Sequence, residues 1–192
     1  MLYLVTGGSG SGKSEYAENL ARKLREKKGA GSGRLYYVAT MYSHDEESDQ
    51  RIARHRLMRK GKGFSTRECY YGISRLRVCR EDVLLVECMS NLLANEMYLP
   101  EGGIKDRGAQ AKEQLEETMV KPLLELTERV EELVVVTNEV FSDGVRYEPE
   151  TERYRELLGQ LNGRLAARAG AVVEVVFSIP VIHKGEGLLC GL

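Results

Sequence analysis

Five short runs along the 192-residue chain are apolar almost without interruption: Leu2–Thr6, Leu35–Thr40, Val83–Glu87, Leu133–Thr137 and Val172–Phe177. A strand with one wet face alternates polar and apolar positions, whereas unbroken runs suit strands covered on both faces, as in a parallel sheet. Between the runs the period becomes helical. Residues 14–28 place Tyr16, Ala17, Leu20, Ala21 and Leu24 on one stripe and stop at Gly29, and residues 150–169 do the same with Tyr154, Leu157, Leu161, Leu165 and Ala169. Asn91–Tyr98 and Gln110–Glu131 also read as helices, separated by the loop LPEGG, with Pro122 expected to break or kink the second. GAGSGR, residues 29–34, reads as a flexible connection inside the domain, and no repeat or low-complexity tract appears. The pattern predicts an α/β fold, a mostly parallel sheet covered by helices on both faces, in one domain spanning 1–192.

Composition narrows the function classes. The chain is 42% hydrophobic and 30% charged with a net charge of −1, so no overall field draws it to nucleic acid or an anionic bilayer. Phosphate affinity then has to come from a local site. No apolar run reaches membrane-spanning length and the start MLYLVTGG carries no basic leader, which predicts a cytoplasmic protein without membrane insertion. Cys69, Cys79, Cys88 and Cys190 match neither zinc-knuckle nor CxxC spacing and read as reduced thiols, mostly buried.

That local site is GGSGSGKS, made of Gly7, Gly8, Ser9, Gly10, Ser11, Gly12, Lys13 and Ser14. It satisfies G-x-x-x-x-G-K-[ST], follows a predicted strand and opens a predicted helix, which is the context a P-loop requires. Its backbone N–H groups and the helix N-terminus cradle phosphates, Lys13 reaches the β and γ phosphates, and the Ser14 hydroxyl ligates Mg2+. An acid at the end of a neighbouring strand completes such a site, and Glu87 fits that place unless it is an ordinary strand-end carboxylate. Glu139 in VTNEV is a second candidate, or else simply begins a turn.

A different chemistry is suggested by DQRIARHR, residues 49–56. If residues 46–60 are helical, Arg51, His55 and Arg59 share one face. Those cations attract a polyphosphate to the ring between them, a nucleophile suited to attack on phosphorus. On the residues alone, a solvated or phosphate-binding helix ranks ahead of covalent catalysis. The alternatives open at this point are a P-loop small-molecule kinase of another pathway, a regulatory GTP switch, and a nucleic-acid-binding NTPase using the basic cluster at 51–62. The switch lacks an N-K-x-D signature, and the acidic remainder of the chain opposes a broad phosphate track.

Taken in order, TGGSGSGKSEYAE, YYVAT, RIARHR, LLVEC with a following NLL, TNEV, GQLNGRLAARA and VEVVFSIPVIHK resemble the bifunctional adenosylcobinamide kinase / adenosylcobinamide-phosphate guanylyltransferase family over nearly the whole chain. The resemblance implies two reactions on a P-loop NTPase-like fold. ATP or GTP phosphorylates adenosylcobinamide; GTP then passes GMP through an enzyme histidine, here His55, to the cobinamide phosphate, giving adenosylcobinamide-GDP in cobalamin nucleotide-loop assembly. By the same matching, Ala39, Thr40, Met41, Arg56, Leu57, Met58, Arg59, Glu68 and Glu87 fall on nucleotide contacts, Mg2+ is the cofactor, and the assembly is a homo-oligomer, a homotrimer by family pattern. Three positions depart from that pattern: Gly10 where the family's P-loop carries arginine, Phe64 where tryptophan is usual, and Phe141 where glycine follows N-E-V. His44 and His183 fall in no matching block and read as structural or solvated.

Overall fold

The computed structural model describes residues 1–29, 33–106 and 108–190. Its strands are β1 (Leu2–Thr6), β2 (Leu35–Ala39), β3 (Ser65–Glu68), β4 (Val83–Glu87), β5 (Glu132–Val136), β6 (Ala171–Val176) and β7 (Ile179–Lys184). Its helices are α1 (Lys13–Lys27), α2 (Glu46–Arg59), α3 (Met89–Tyr98), α4 (Ala111–Leu115), α5 (Lys121–Arg129), α6 (Pro149–Arg168) and α7 (Glu186–Leu189). The strands form one seven-stranded sheet in the order β3-β2-β4-β5-β1-β6-β7. Every pairing is parallel except β6 with β7.

The unbroken apolar runs have the predicted consequence. Successive side chains leave a strand on opposite faces, so β1 sends Leu4 into one core with α3, α5 and α6, and sends Tyr3 and Val5 into a second core with α1. The first layer contains Leu84, Val86, Leu133 and Val135 against Leu92, Leu123, Leu126, Leu157, Leu161 and Leu165. The second holds Leu85, Val134, Val136 and Val173 against Ala17, Leu20, Ala21 and Leu24, the stripe read from residues 14–28.

Two strands escaped the sequence pattern. STRE (β3) pairs with the edge of β2 and none of its residues is buried, so it shows no apolar run. IPVIHK (β7) is exposed at all six positions and completes the opposite edge as an antiparallel hairpin arm. Pro122 does not break its helix. Glu116–Val120 forms a π turn directly before α5, and Pro122 takes the second position of α5, where a missing N–H costs least. Of the predicted connection GAGSGR, residues 30–32 lie outside the described residues. The thiols also differ from expectation: Cys69 and Cys88 are buried while Cys79 and Cys190 are exposed, and all four are free. Among the described residues no helix is long and apolar enough to cross a membrane.

Candidate functional site at the strand ends

The sheet order places three strand ends side by side. β1 runs into the P-loop, β4 ends at Glu87 beyond β5, and β2 ends at Ala39 beside Glu87. The segment 7–14 turns as its composition requires. Gly10 and Gly12 lie at φ 70° and 91°, a region glycine enters without strain. Gly12 is also bare by necessity, because a Cβ there would stand 2.6 Å from Ser178 Oγ and 3.2 Å from Ser178 Cα. Ser178 N–H donates to the Ser11 carbonyl at 2.8 Å, so the turn between β6 and β7 braces the loop from outside. That turn has both of its residues, Phe177 and Ser178, at positive φ, 49° and 65°.

Lys13 opens α1 and is buried; its ammonium donates to the Gly8 carbonyl at 2.9 Å across the loop. Burial holds its ammonium below the usual lysine range, against the raising influence of Cys88 and Glu87. Ser14, the next residue, donates its hydroxyl to Glu87 Oε1. The other oxygen, Oε2, is buried with no hydrogen-bond partner among the described residues. A hydroxyl and a carboxylate with a spare oxygen form a hard-oxygen pair at the mouth of the loop, the donor type that Mg2+ takes. Glu139 is spent elsewhere: its carboxylate accepts from Phe141 N–H at 2.8 Å and Ser142 Oγ at 2.9 Å, closing a turn.

Next to Glu87, Thr40 is fully buried. Its hydroxyl donates to the Cys88 carbonyl at 2.9 Å, and its own carbonyl accepts from Asn95 Nδ2 at 2.7 Å, locking the ends of β2 and β4 together. Ala39 and Met41 flank it, half-buried. Glu68 closes β3 at the rim and accepts from Arg56 at 3.1 Å, an exposed pair of small energetic weight.

The helix expected over 46–60 is α2. Asp45 caps it by accepting from Ser48 N–H at 2.7 Å, and Glu46, Glu47 and Asp49 complement the positive end. His55 is half-buried, and its Nδ1 is buried without a hydrogen-bond partner among the described residues. The cationic face expected around it is divided. Arg51 is exposed and paired with Glu47, whereas Arg59 turns inward and stacks 3.4 Å above the Tyr37 ring. Leu57 is largely exposed and Met58 half-buried. His44 is exposed, and His183 Nε2 meets Glu174 at 2.9 Å on the exposed β7 edge.

Two further polar residues of this neighbourhood, Tyr37 and Glu18, were given no role from the sequence. Tyr37 is buried, and burial, followed by the adjacent Glu87 charge, pushes its phenol well up. Glu18 is fully buried on α1 and pairs with Lys62 just beyond α2. A helical wheel could have found Glu18, since it shares the inward stripe of Ser14, Ala17 and Ala21.

Residues 3–182 match the family model described as cobinamide kinase / cobinamide phosphate guanyltransferase. The chain is 33% identical to the bifunctional adenosylcobalamin biosynthesis protein CobU of Escherichia coli (strain K12), over 96% of this chain and all of that protein. It is 31% identical to the protein of the same description from Salmonella typhimurium, again over 96% of this chain and all of that protein. CobP of Pseudomonas aeruginosa, described in the same words, is 31% identical over 96% of this chain and 98% of its own length.

Proposed function

Because the chain belongs to the cobinamide kinase / cobinamide phosphate guanyltransferase family, a kinase and nucleotidyltransferase of cobalamin biosynthesis, we propose that its single P-loop serves both reactions and that His55 carries GMP between them. The observation that carries this reading is the union of Lys13, Ser14 and Glu87 at one loop, with a half-buried histidine on the helix that follows the adjoining strand.

In the kinase step the hydroxyl oxygen of adenosylcobinamide attacks the γ-phosphorus of ATP or GTP. The new P–O bond forms as the bond to the β-phosphate oxygen breaks. Lys13 and the backbone N–H groups of 7–14 hold the phosphates and take up charge as it moves to the leaving oxygen. Ser14 and Glu87 are the residues that would hold Mg2+, which when bound neutralises charge on the polyphosphate. In the transfer step a ring nitrogen of His55 attacks the α-phosphorus of GTP and pyrophosphate leaves. A phosphate oxygen of the cobinamide phosphate then attacks the same phosphorus, and the P–N bond breaks to give adenosylcobinamide-GDP. Splitting one displacement into two lets each acceptor meet the nucleotide in turn. Ala39, Thr40, Met41, Glu68 and the stretch Arg56, Leu57, Met58 and Arg59 form the proposed rim of the nucleotide site.

The protein is read as a cytoplasmic homo-oligomer, with a trimer as the expected size in sedimentation. The apolar, exposed Ile179 and Val181 on β7 support an assembly over a monomer. The test of the central claim is incubation with α-32P-GTP and Mg2+, with His55→Ala in parallel, followed by alkaline denaturing electrophoresis. A label that survives alkali, is lost in acid and is missing from His55→Ala establishes the phosphoramidate. A wild-type protein that binds GTP and takes no label overturns it.

A further inference from the structure

The helix carrying His55 stands clear of the protein body. Of the fourteen residues of α2, Arg59 alone is buried. Ordinary packing of an apolar helix face therefore cannot fix where His55 sits. Two polar contacts at its C-terminal end can. The Arg59 guanidinium lies on the Tyr37 ring, which also makes a T-shaped contact with Phe64 at a centroid distance of 6.2 Å. Lys62, just beyond, reaches the fully buried Glu18 on α1. Between and after these two anchors the chain passes Gly61 and Gly63, both at φ 80°, so no regular structure holds its direction there.

Both anchors end on residues that neighbour the P-loop machinery without belonging to it. Glu18 follows Ser14 by one turn of α1, and Tyr37 stands beside Glu87, the residue that accepts the Ser14 hydroxyl. Lys62 is the one ionic partner Glu18 has among the described residues, and Glu18 Oε1 has no hydrogen-bond partner among them. Deleting the lysine leaves a buried carboxylate uncompensated, so the contact is directional and costly to lose in a way that an apolar contact is not.

We infer that the Lys62–Glu18 ion pair and the Arg59–Tyr37 stack are the seat of the histidine helix, and that Lys62 and Glu18 are positioning residues that set His55 against the nucleotide held by the P-loop. The inference rests on the reading of His55 as the GMP carrier. It assigns these two residues a role in guanylyl transfer alone, because phosphorylation of cobinamide does not use His55.

The experiment compares wild type, Lys62→Met, Lys62→Arg and the double variant Glu18→Gln/Lys62→Met, the last removing both charges so that no buried carboxylate is left bare. Four quantities are measured on each folded protein: the single-turnover rate of labelling by α-32P-GTP, nucleotide affinity, the rate of cobinamide phosphorylation by ATP, and hydrogen exchange at the amides of residues 46–59. A reacting group displaced by about 1 Å loses on the order of 100-fold in rate. Labelling in the double variant is therefore expected to fall by about that factor, with nucleotide affinity and phosphorylation unchanged, faster exchange along α2, and recovery of most of the rate in Lys62→Arg. Labelling at the wild-type rate with unaltered exchange overturns the seat, and so does an equal loss in all three activities, which marks a general structural role. If the wild type takes no label, the reading of His55 falls while the exchange data still decide whether the seat exists.

Discussion

Phe177→Asn should make the protein more stable, an unusual outcome for the loss of a phenylalanine. The residue lies at φ 49° in the two-residue turn between β6 and β7, followed by Ser178 at φ 65°, and it is 90% exposed. Turns of this kind favour Asn-Gly because both positions need positive φ. The left-handed region costs an ordinary side chain roughly 1–2 kcal/mol, and asparagine recovers much of that through local hydrogen bonding. The loss on the other side is small: full burial of a phenylalanine is worth about 1.5–3 kcal/mol, so the tenth of the side chain that is covered contributes about 0.2–0.3 kcal/mol. A net gain of about 1 kcal/mol follows, or roughly 2–4 °C in Tm for a chain of this size. Urea unfolding and calorimetry without nucleotide measure it. Nucleotide affinity should stay as it was, since the brace from Ser178 N–H to the Ser11 carbonyl is made by backbone. An unchanged or lower Tm refutes the reasoning, because it would mean that the left-handed Phe177 costs nothing or is held by contacts of greater worth.

Other outcomes follow from the same geometry. Gly12→Ala should weaken nucleotide binding by roughly tenfold or more in a titration, because the new Cβ meets Ser178 at φ 91° and such strain costs about 1–3 kcal/mol. Glu87→Gln should retain nucleotide binding in the absence of metal and lose the strengthening that Mg2+ adds, read as the ratio of Kd values with and without the ion; an undiminished ratio removes Glu87 from the metal site. Burial sets the Lys13 ammonium below its ordinary value, so nucleotide affinity should begin to fall with rising pH before an ordinary lysine loses its proton, and a flat profile through that range contradicts the assignment. In the native protein a thiol-alkylating reagent near neutral pH should modify Cys79 and Cys190 and spare Cys69, whose thiol burial pushes up to about 11, and Cys88, also raised by burial, as peptide mapping would show.

What could be read in advance follows the physics of burial. Strands covered on both faces announce themselves as apolar runs, so β1, β2, β4, β5 and β6 were legible to within a residue. β3 and β7 lie at the two edges: STRE faces water and carries no apolar run, while the apolar IPVI of β7 contains Pro180, a residue that reads against an interior strand. The P-loop was legible because its glycines, lysine and serine act through the local backbone. The surroundings of His55 were legible only in part. Helical spacing put Arg51, His55 and Arg59 on one side, but it could not show that Glu47 takes Arg51 or that Tyr37, far off in sequence, draws Arg59 inward. The bond from Ser14 to Glu87 and the pair of Glu18 with Lys62 join residues 73 and 44 positions apart, distances over which no local period carries information.

The brace on the nucleotide loop also sets an order of events during synthesis. β1 is the first of the seven strands to leave the ribosome, yet it lies between β5 and β6, and its loop rests on a turn at residues 177–178. Domains generally fold as units once their segments have emerged, and contacts between distant segments come late. A nascent chain that has reached α6 therefore carries the whole glycine-rich motif without one of its flanking strands or its outer support. Competence to hold a nucleotide arrives only when the final hairpin is made, so a chain stalled before that point is left without a ligand that could stabilise it.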